Sequence, residues 1–177
     1  MSCPYFSNWP PAVQQRLGSV LVLLQMGLLL VLGWLALRAV WPHPAAALAT
    51  PQAIVLGLAS GLLGGWTLLH NRLGNFNIHP APRIDGVLVT SGPYHWVRHP
   101  MYSAVLLGAA ALACLPGGAQ PWLIWLSLCA VLWAKSWLEE QWLRVHYAPY
   151  DAYCQQCGRF LPRLARRSVV ATQDERR

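Results

Sequence analysis

The sequence predicts an all-α fold: an integral membrane bundle of about four transmembrane helices, with a cytoplasmic loop and a cytoplasmic C-terminal segment. Three observations support this prediction. Hydrophobic residues make up 55% of the 177 residues and charged residues only 11%, whereas a soluble domain carries about 25% charge. Long uncharged hydrophobic stretches alternate with short polar ones. The basic residues are concentrated in alternate connections, as expected of a chain that crosses a membrane repeatedly.

The first span is predicted at about residues 17–41. Residues 17–37 carry no formal charge and are long enough to cross a hydrocarbon layer about 30 Å thick. A signal peptide cleaved near AAALAT is the alternative interpretation. The apolar run is too long for a usual signal sequence, however, and Arg38 with Trp41 resembles an interfacial stop. The second span is predicted at about residues 52–71, a stretch without charge or proline until its end.

The next two apolar blocks are predicted to form a helical hairpin around the turn sequence PGGAQ. Each block is short for an independent span, and the predicted boundaries are about 98–116 and 120–143. In the second span, Gly57, Gly61 and Gly65 recur at every fourth position. Small residues at this spacing predict the close approach of another helix.

The distribution of positive charge predicts the orientation of the bundle. Arginines precede the first span, lie between the second and third, and follow the fourth, whereas the other two connections carry no Lys or Arg. The positive-inside rule then places both termini in the cytoplasm. We predict one membrane domain over residues 1–165 and a basic, disordered tail over residues 166–177. The net charge of +7 is then a topology and lipid-headgroup feature, and no nucleic-acid partner is predicted.

Ionisable residues cluster at the predicted cytoplasmic ends of the last two spans, and such residues at membrane depth usually face the interior of the bundle. Arg98 precedes Pro100, a residue suited to the first turn of a helix. The exposed amides of that turn, with Arg98, are suited to an anion such as a carboxylate. A second group on the fourth helix consists of Lys135, Glu139 and then Glu140, of which Lys135 and Glu139 share one face. They are either a surface ion pair beside a snorkelling lysine or a functional pair that faces inward.

Two further polar groups are candidates for the same site. The loop sequence GNFNIHP contains Asn75, Asn77 and His79. The C-terminal segment contains further polar side chains that would fold back as a cytoplasmic lid, namely Tyr150, Tyr153 and Arg159.

No metal site is predicted. Cys154 and Cys157 have metal or redox spacing but lack a second ligand pair, so coincidence is favoured. His95 and His99 are four residues apart, but the proline that follows them disfavours an earlier helical turn. A haem held between His70 and His99 would rest on only two histidines from different spans. A Rossmann domain is not predicted, because no G-x-G-x-x-G follows a strand.

Four blocks of sequence, in order, resemble the isoprenylcysteine carboxyl methyltransferases and their bacterial relatives: NFNIHP, LVTSGPYHWVRHPMYSA, KSWLEEQWL and YDAYCQQCGRFLP. The resemblance covers about residues 74–162 and implies S-adenosyl-L-methionine bound at the cytoplasmic face, so the predicted cytoplasmic loop is a cofactor-binding loop. By block matching, the residues implied to contact the cofactor are Gly86, Val87, Leu88, Val89, Tyr94, His99, Pro100, Met101, Tyr102 and, at a spacing that differs from the eukaryotic pattern, His79.

The same resemblance implies a substrate site on the last span. In the eukaryotic members an arginine and a glutamate four residues apart contact the substrate. Here Glu139 keeps the acid, whereas Lys135 replaces the arginine and loses its planar bidentate grip on a carboxylate. The catalytic residues that we predict are Glu139, Lys135 and Arg98.

We therefore expect an S-adenosylmethionine-dependent methyltransferase in a bacterial inner membrane, acting among membrane lipids on a lipophilic or lipidated substrate. The superfamily also includes phospholipid N-methyltransferases, thiol S-methyltransferases and sterol reductases, so the acceptor is a carboxylate, a thiol or an amine. Two alternatives remain. The first is a nicotinamide-dependent reductase of this superfamily, which the short chain and the compact K-x-x-x-EE block disfavour. The second is a small-molecule transporter, which would be expected to contain inverted repeats. The sequence leaves the oligomeric state open.

Overall fold

The computed structural model describes residues 10–41, 44, 50–70 and 88–163. This part of the chain contains α-helices and one 3₁₀ turn at Gly92–His95, and no β-strand. The all-α fold is therefore confirmed. The helices are α1 (Pro11–Val40), α2 (Pro51–His70), α3 (Pro100–Ala113), α4 (Gln120–His146) and the short α5 (Tyr150–Gln156).

Three of these helices are long and apolar enough to cross a membrane: α1 over Ala12–Val40, α2 over Pro51–His70 and α4 over Gln120–His146. They indicate an integral membrane protein. The predicted count of four spans is not confirmed, because α3 has only 14 residues. At about 1.5 Å per residue, α3 is shorter than a hydrocarbon layer about 30 Å thick.

Prolines explain where the long helices begin. Pro11, Pro51 and Pro100 are the first residues of α1, α2 and α3, and Pro121 is the second residue of α4. A proline in the first turn sacrifices no hydrogen bond, because the helix leaves those N–H groups unpaired in any case. Helix α3 therefore begins at Pro100 and ends at Ala113, within the third predicted span, 98–116. A turn in which two glycines adopt positive φ follows this helix.

Helix α2 packs mainly on α3, through small residues. A Cβ atom at Gly64 would lie 3.6 Å from a side chain of α3, and one at Gly57 would lie 4.0 Å away. Between them, Ser60 Oγ donates a hydrogen bond of 2.7 Å to a backbone carbonyl of α3. Gly61 and Gly65 would meet nothing within 4 Å among the described residues. The predicted stripe was therefore wrong for these two, because a helix of 3.6 residues per turn carries every fourth position progressively off the contact face.

Helix α4 packs against both α1 and α3. The largest buried apolar cluster lies where the three helices meet, and it consists of Leu32, Ala109, Ala113, Leu128 and Leu132. Large apolar side chains also cover the outer surfaces of the helices, including Leu30, Trp34, Leu62 and Leu69. This arrangement suits a bundle surrounded by lipid, and it leaves polar side chains concentrated at one end of the α3–α4 hairpin.

Candidate active site at the start of α3 and the end of α4

The hairpin places the start of α3 beside the second half of α4. The two helices are joined by a turn in which Gly117 and Gly118 have φ of 73° and 76°, a conformation that glycine adopts without a steric penalty. Because the helices run in opposite directions, the sequence RHPMY at the start of α3 lies against the sequence KSWLEE on α4. The structure thus brings together the two polar blocks that the sequence singled out.

Glu140 lies at the centre of the buried charge cluster, and its side chain is fully buried. Its Oε1 accepts a hydrogen bond of 2.9 Å from Arg98 Nε. Arg159 donates to both carboxylate oxygens, at 3.0 Å from Nε and 2.7 Å from Nη2. A carboxylate without solvent contact requires such partners, because an unpaired buried charge is strongly destabilising.

Arg98 links this cluster to the C-terminal segment. Its Nη1 donates hydrogen bonds to the carbonyl oxygens of Cys154 (3.1 Å) and Cys157 (2.7 Å) at the end of α5. Burial lowers the pKa of Arg98, but the adjacent Glu140 carboxylate outweighs that effect and the pKa is raised. The backbone carbonyls of the CxxC sequence, rather than its thiols, therefore make the described contacts with Arg98, and much of its guanidinium is occupied by protein groups.

The C-terminal segment folds back over the start of α3. Val97 and Gly158 form a parallel β-bridge. The His99 N–H donates to the carbonyl of Arg159 at 3.0 Å, and Ser103 Oγ donates to the carbonyl of Phe160 at 2.7 Å. The fold-back that the sequence predicts for this segment is therefore observed.

Glu139 forms a second, more accessible carboxylate site, with a side chain 19% exposed. The Tyr102 hydroxyl donates a hydrogen bond to its Oε1, and His99 Nδ1 lies 3.4 Å from its Oε2. The His99 and Tyr102 rings are stacked, with centroids 5.4 Å apart. Glu139 is thus held by two side chains of the α3 start while keeping some exposed surface.

His99 lies between the two carboxylates. Its Nε2 is 3.3 Å from Glu140 Oε1, an ion-pair distance without hydrogen-bond alignment. Burial lowers the pKa of His99, but the hydrogen bond to Glu139 and the two negative charges outweigh it, so the pKa is raised above its ordinary value. The folded protein therefore favours the imidazolium form.

Lys135 faces inward and is only 4% exposed. Its Nζ donates a hydrogen bond of 3.1 Å to Oε1 of Gln25 on α1 and lies 5.2 Å from the centroid of the Tyr102 ring. Within the described residues Lys135 forms no ion pair. The interpretation of Lys135 and Glu139 as a surface ion pair is therefore wrong.

The predicted cofactor residues are only partly described. Leu88 packs against the cluster formed by Tyr150, Tyr153 and Cys157, and Val89 continues toward the 3₁₀ turn. Tyr94 lies in that turn; burial, together with the Glu139 charge, raises its pKa to about 12. Pro100, Met101 and Tyr102 form the first turn of α3. The remaining predicted contacts, which are His79, Gly86 and Val87, lie outside the described residues, as do Asn75 and Asn77.

The start of α3 retains two backbone donors. The His99 amide bonds to the carbonyl of Arg159, Pro100 has no N–H, and the Ser103 amide bonds within the helix. Met101 and Tyr102 therefore carry the amides that have no partner within the helix, and no backbone acceptor among the described residues bonds to them. The sequence predicted an anion site formed by these amides together with Arg98. Because Arg98 bonds to Glu140 and to carbonyls at the end of α5, the two amides are the groups that this site retains.

Sequence reasoning did not identify Gln25, and it predicted no contact between Glu140 and Arg159. Gln25 is the one amide side chain within residues 17–37, and a polar residue inside a hydrophobic span is a functional signal by default. This feature of the sequence could have identified Gln25 as a candidate site residue. Arg159, which also packs at 4.4 Å over the Trp133 ring, was predicted only as part of a lid, because its partner lies 19 residues away.

Fold and site together define a helical membrane protein with a largely buried cluster of polar side chains at one end of its bundle. A family model described as phospholipid methyltransferase matches residues 52–149, more than half of the chain. The chain therefore belongs to the phospholipid methyltransferase family, which includes the isoprenylcysteine carboxyl methyltransferases. This result confirms the resemblance seen in the sequence and indicates a membrane methyltransferase. No match was found among the curated proteins or the solved structures.

Proposed function

We propose that this protein transfers a methyl group from S-adenosyl-L-methionine to a lipophilic acceptor dissolved in the membrane. The observation that carries the proposal is the placement of Glu139. This carboxylate is held by Tyr102 and His99, remains partly exposed, and lies one helical turn from the buried Lys135. A hydrogen-bond acceptor and a cation are thus fixed beside the helix start predicted to bind the cofactor.

The described side chains fit the cofactor in two respects. The free amides of Met101 and Tyr102 are suited to a carboxylate at a helix N-terminus. Tyr94 stays neutral because its pKa is raised to about 12, and a neutral aromatic ring is suited to contact with a sulfonium cation. When bound, S-adenosylmethionine supplies an electrophilic methyl group. Contacts from His79, Gly86 and Val87 remain predictions.

The chain's own residues would act mainly by orientation. Methyl transfer requires in-line approach in a site from which water is excluded, so positioning contributes more than acid–base steps. Glu139 accepts a proton from a neutral nucleophile or orients it, and Lys135 holds an anionic group of the acceptor. The apolar outer surfaces of α1 and α4 allow a lipophilic acceptor to approach from the bilayer. Family membership favours neither the reductase nor the transporter alternative.

A methyl-transfer assay tests the proposal. Purified protein in nanodiscs would receive S-adenosylmethionine with a tritiated methyl group and lipophilic carboxylate, thiol or amine acceptors. We expect tritium in the organic extract with at least one acceptor class. Glu139→Gln should lower kcat by about a hundredfold or more while leaving S-adenosylhomocysteine affinity nearly unchanged.

Asp151→Asn is the matched control. It makes the same change of carboxylate to amide, but at a side chain that is 71% exposed and lies outside the site. It should keep the full rate. Equal losses of rate and cofactor affinity in Glu139→Gln would contradict a substrate-side role for this residue. Absence of transfer to every acceptor class would refute the proposed activity.

A further inference from the structure

We propose that Gln25 is a positioning residue that fixes the Lys135 ammonium and thereby makes the site selective for acceptors that carry an anionic group. The inference rests on the proposed function in treating the bound molecule as the methyl acceptor. It goes beyond that function by assigning a role to α1, which lies outside the matched residues 52–149.

The first support is the contact itself. Gln25 is 6% exposed and Lys135 is 4% exposed, and Gln25 Oε1 accepts the hydrogen bond from Lys135 Nζ at 3.1 Å. One turn away on each helix, Leu21 and Leu138 are buried in a shared apolar cluster. The two helices are therefore held in register at this level, and the polar contact is a fixed feature of the interface.

The second support is the incomplete compensation of the charge. An ammonium has three donors, and the described partners of Lys135 are one neutral amide oxygen and the face of the Tyr102 ring. The nearby carboxylate of Glu139 attracts the ammonium electrostatically, but it makes its hydrogen bond with Tyr102. A buried cation without a directly bonded counter-ion is costly at membrane depth, so an anionic group supplied by the acceptor would be stabilised there.

The third support is the chemistry of the glutamine. Lysine carries its charge on a flexible four-carbon stem, so its direction must be fixed by a partner. An amide oxygen orients the ammonium without neutralising it, whereas a carboxylate at the same place would cancel the charge. Gln25 therefore has the properties required to direct Lys135 toward a second, anionic partner.

The test measures equilibrium binding of paired ligands to protein in nanodiscs of uncharged lipid, with tryptophan fluorescence as the signal. N-acetyl-S-dodecylcysteine would be compared with its methyl ester, which has the same chain but no negative charge. Dodecyl phosphate and dodecanol form a second pair, so that carboxylate and phosphate sources of the anion are distinguished. We expect the wild-type protein to prefer the anion of at least one pair by about tenfold or more, the scale of one hydrogen bond to a charged group.

Two substitutions at Gln25 separate positioning from folding. Gln25→Leu removes the acceptor and should lower thermal stability, whereas Gln25→Glu forms an ion pair with Lys135 and should keep stability. Both variants should bind the anionic and the uncharged ligand of each pair almost equally. Both should also raise KM for the anionic acceptor more than they lower kcat. Gln15→Leu is the control, because Gln15 is an exposed glutamine of the same helix, and it should keep the preference.

Equal wild-type binding of both members of each pair would overturn the proposal, as would full preference in Gln25→Glu and Gln25→Leu. Titration of S-adenosylhomocysteine into the same preparation tests the proposed function separately. Protein that binds the cofactor product but shows no anion preference refutes the role of Gln25 alone. Protein that prefers the anion but binds no cofactor product refutes the proposed activity alone.

Discussion

The fully buried carboxylate of Glu140 is the ion-pair partner of Arg98 and Arg159, and Arg144 Nη2 lies 3.6 Å from its Oε2. Replacing Glu140 by glutamine would leave the cations of Arg98 and Arg159 buried without their main counter-ion. We expect Glu140→Gln to destabilise the protein by about 3–5 kcal/mol, the scale measured when one partner of a buried pair is removed. Denaturant or thermal unfolding of purified protein measures this loss.

The control for this prediction is Asp151→Asn, which removes the exposed partner of Arg144. Their Nε–Oδ1 distance is 3.0 Å, but the Asp151 side chain is 71% exposed. A solvent-exposed ion pair contributes little to stability, so this variant should unfold almost like the wild type. If Glu140→Gln lowered stability as little as Asp151→Asn does, the buried ion pairs of Glu140 would have no special role in stability.

His99 gives the stability of the protein a defined pH dependence. Its pKa is raised in the folded state, because Glu139 and Glu140 outweigh the effect of burial. The protonated ring therefore stabilises the fold. That contribution is fully present below the unfolded-state pKa of about 6.5 and is lost as the pH rises through the folded-state pKa. Thermal midpoints of the wild type should fall over this window, and those of His99→Gln should fall less. Parallel pH profiles would contradict the assignment.

At the scale of single residues, the sequence predicted part of the site. Lys135 and Glu139 were identified because ionisable groups at membrane depth are unusual, and Tyr102 was identified because its sequence block resembles that of a known family. The contact between Gln25 and Lys135 was not predicted, since the two residues lie 110 positions apart and a pairing at that distance leaves no local pattern. The same reason explains why Arg159 was not paired with Glu140.

At the scale of elements, the turn before α3 depends on a single glycine. Gly92 has φ of 59°, and a Cβ atom there would lie 2.5 Å from the ring of His70 at the end of α2. His70 also contacts Ser91 through its Nε2, at 3.0 Å from the hydroxyl. The turn that carries Tyr94 is thus placed by direct contact with the end of α2.

Gly92→Ala should therefore destabilise the protein by about 2 kcal/mol or more, since strain at positive φ and overpacking against the ring act together. The matched control is Gly117→Ala, where φ is 73° but a Cβ atom would meet nothing within 4 Å among the described residues. This variant should show the backbone strain alone and a smaller loss. Equal losses in the two unfolding measurements would show that contact with His70 has no role.

Element positions were predicted better than element ends. The hydrophobic stretches located the three long helices, α1, α2 and α4, and the shorter α3, because burial in lipid requires continuous apolar sequence. The length of α3 was overestimated, since its start depends on Pro100 and its end on a glycine turn. The glycine stripe of α2 was misjudged at Gly61 and Gly65, because spacing alone does not show which face meets α3.

At the scale of the whole molecule, residues 157–160 connect the end of the chain to the start of α3. A chain that ends at residue 147 would lose α5, these backbone contacts and Arg159. We expect it to lose both thermal stability and S-adenosylhomocysteine binding. A chain that ends at residue 165 lacks only the predicted tail, 166–177, and should keep both properties. Retained binding after truncation at residue 147 would contradict a structural role for the C-terminal segment.

Both termini are predicted to lie in the cytoplasm from the distribution of arginine alone, and this orientation remains a prediction. Family membership was predictable because the sequence blocks KSWLEEQWL and GPYHWVRHPMY are local. The acceptor was not predictable from these blocks, because the family includes enzymes that act on different acceptors and α1, whose Gln25 contacts Lys135, lies outside the matched range.

The most direct test of S-adenosylmethionine-dependent methyl transfer is calorimetric titration of S-adenosylhomocysteine into purified wild-type protein, with NADPH titrated in parallel. We expect saturable binding of S-adenosylhomocysteine at roughly micromolar affinity, a binding free energy of about 8 kcal/mol, and no binding of NADPH. Binding of NADPH without S-adenosylhomocysteine, or of neither ligand by folded protein, would contradict the proposed activity.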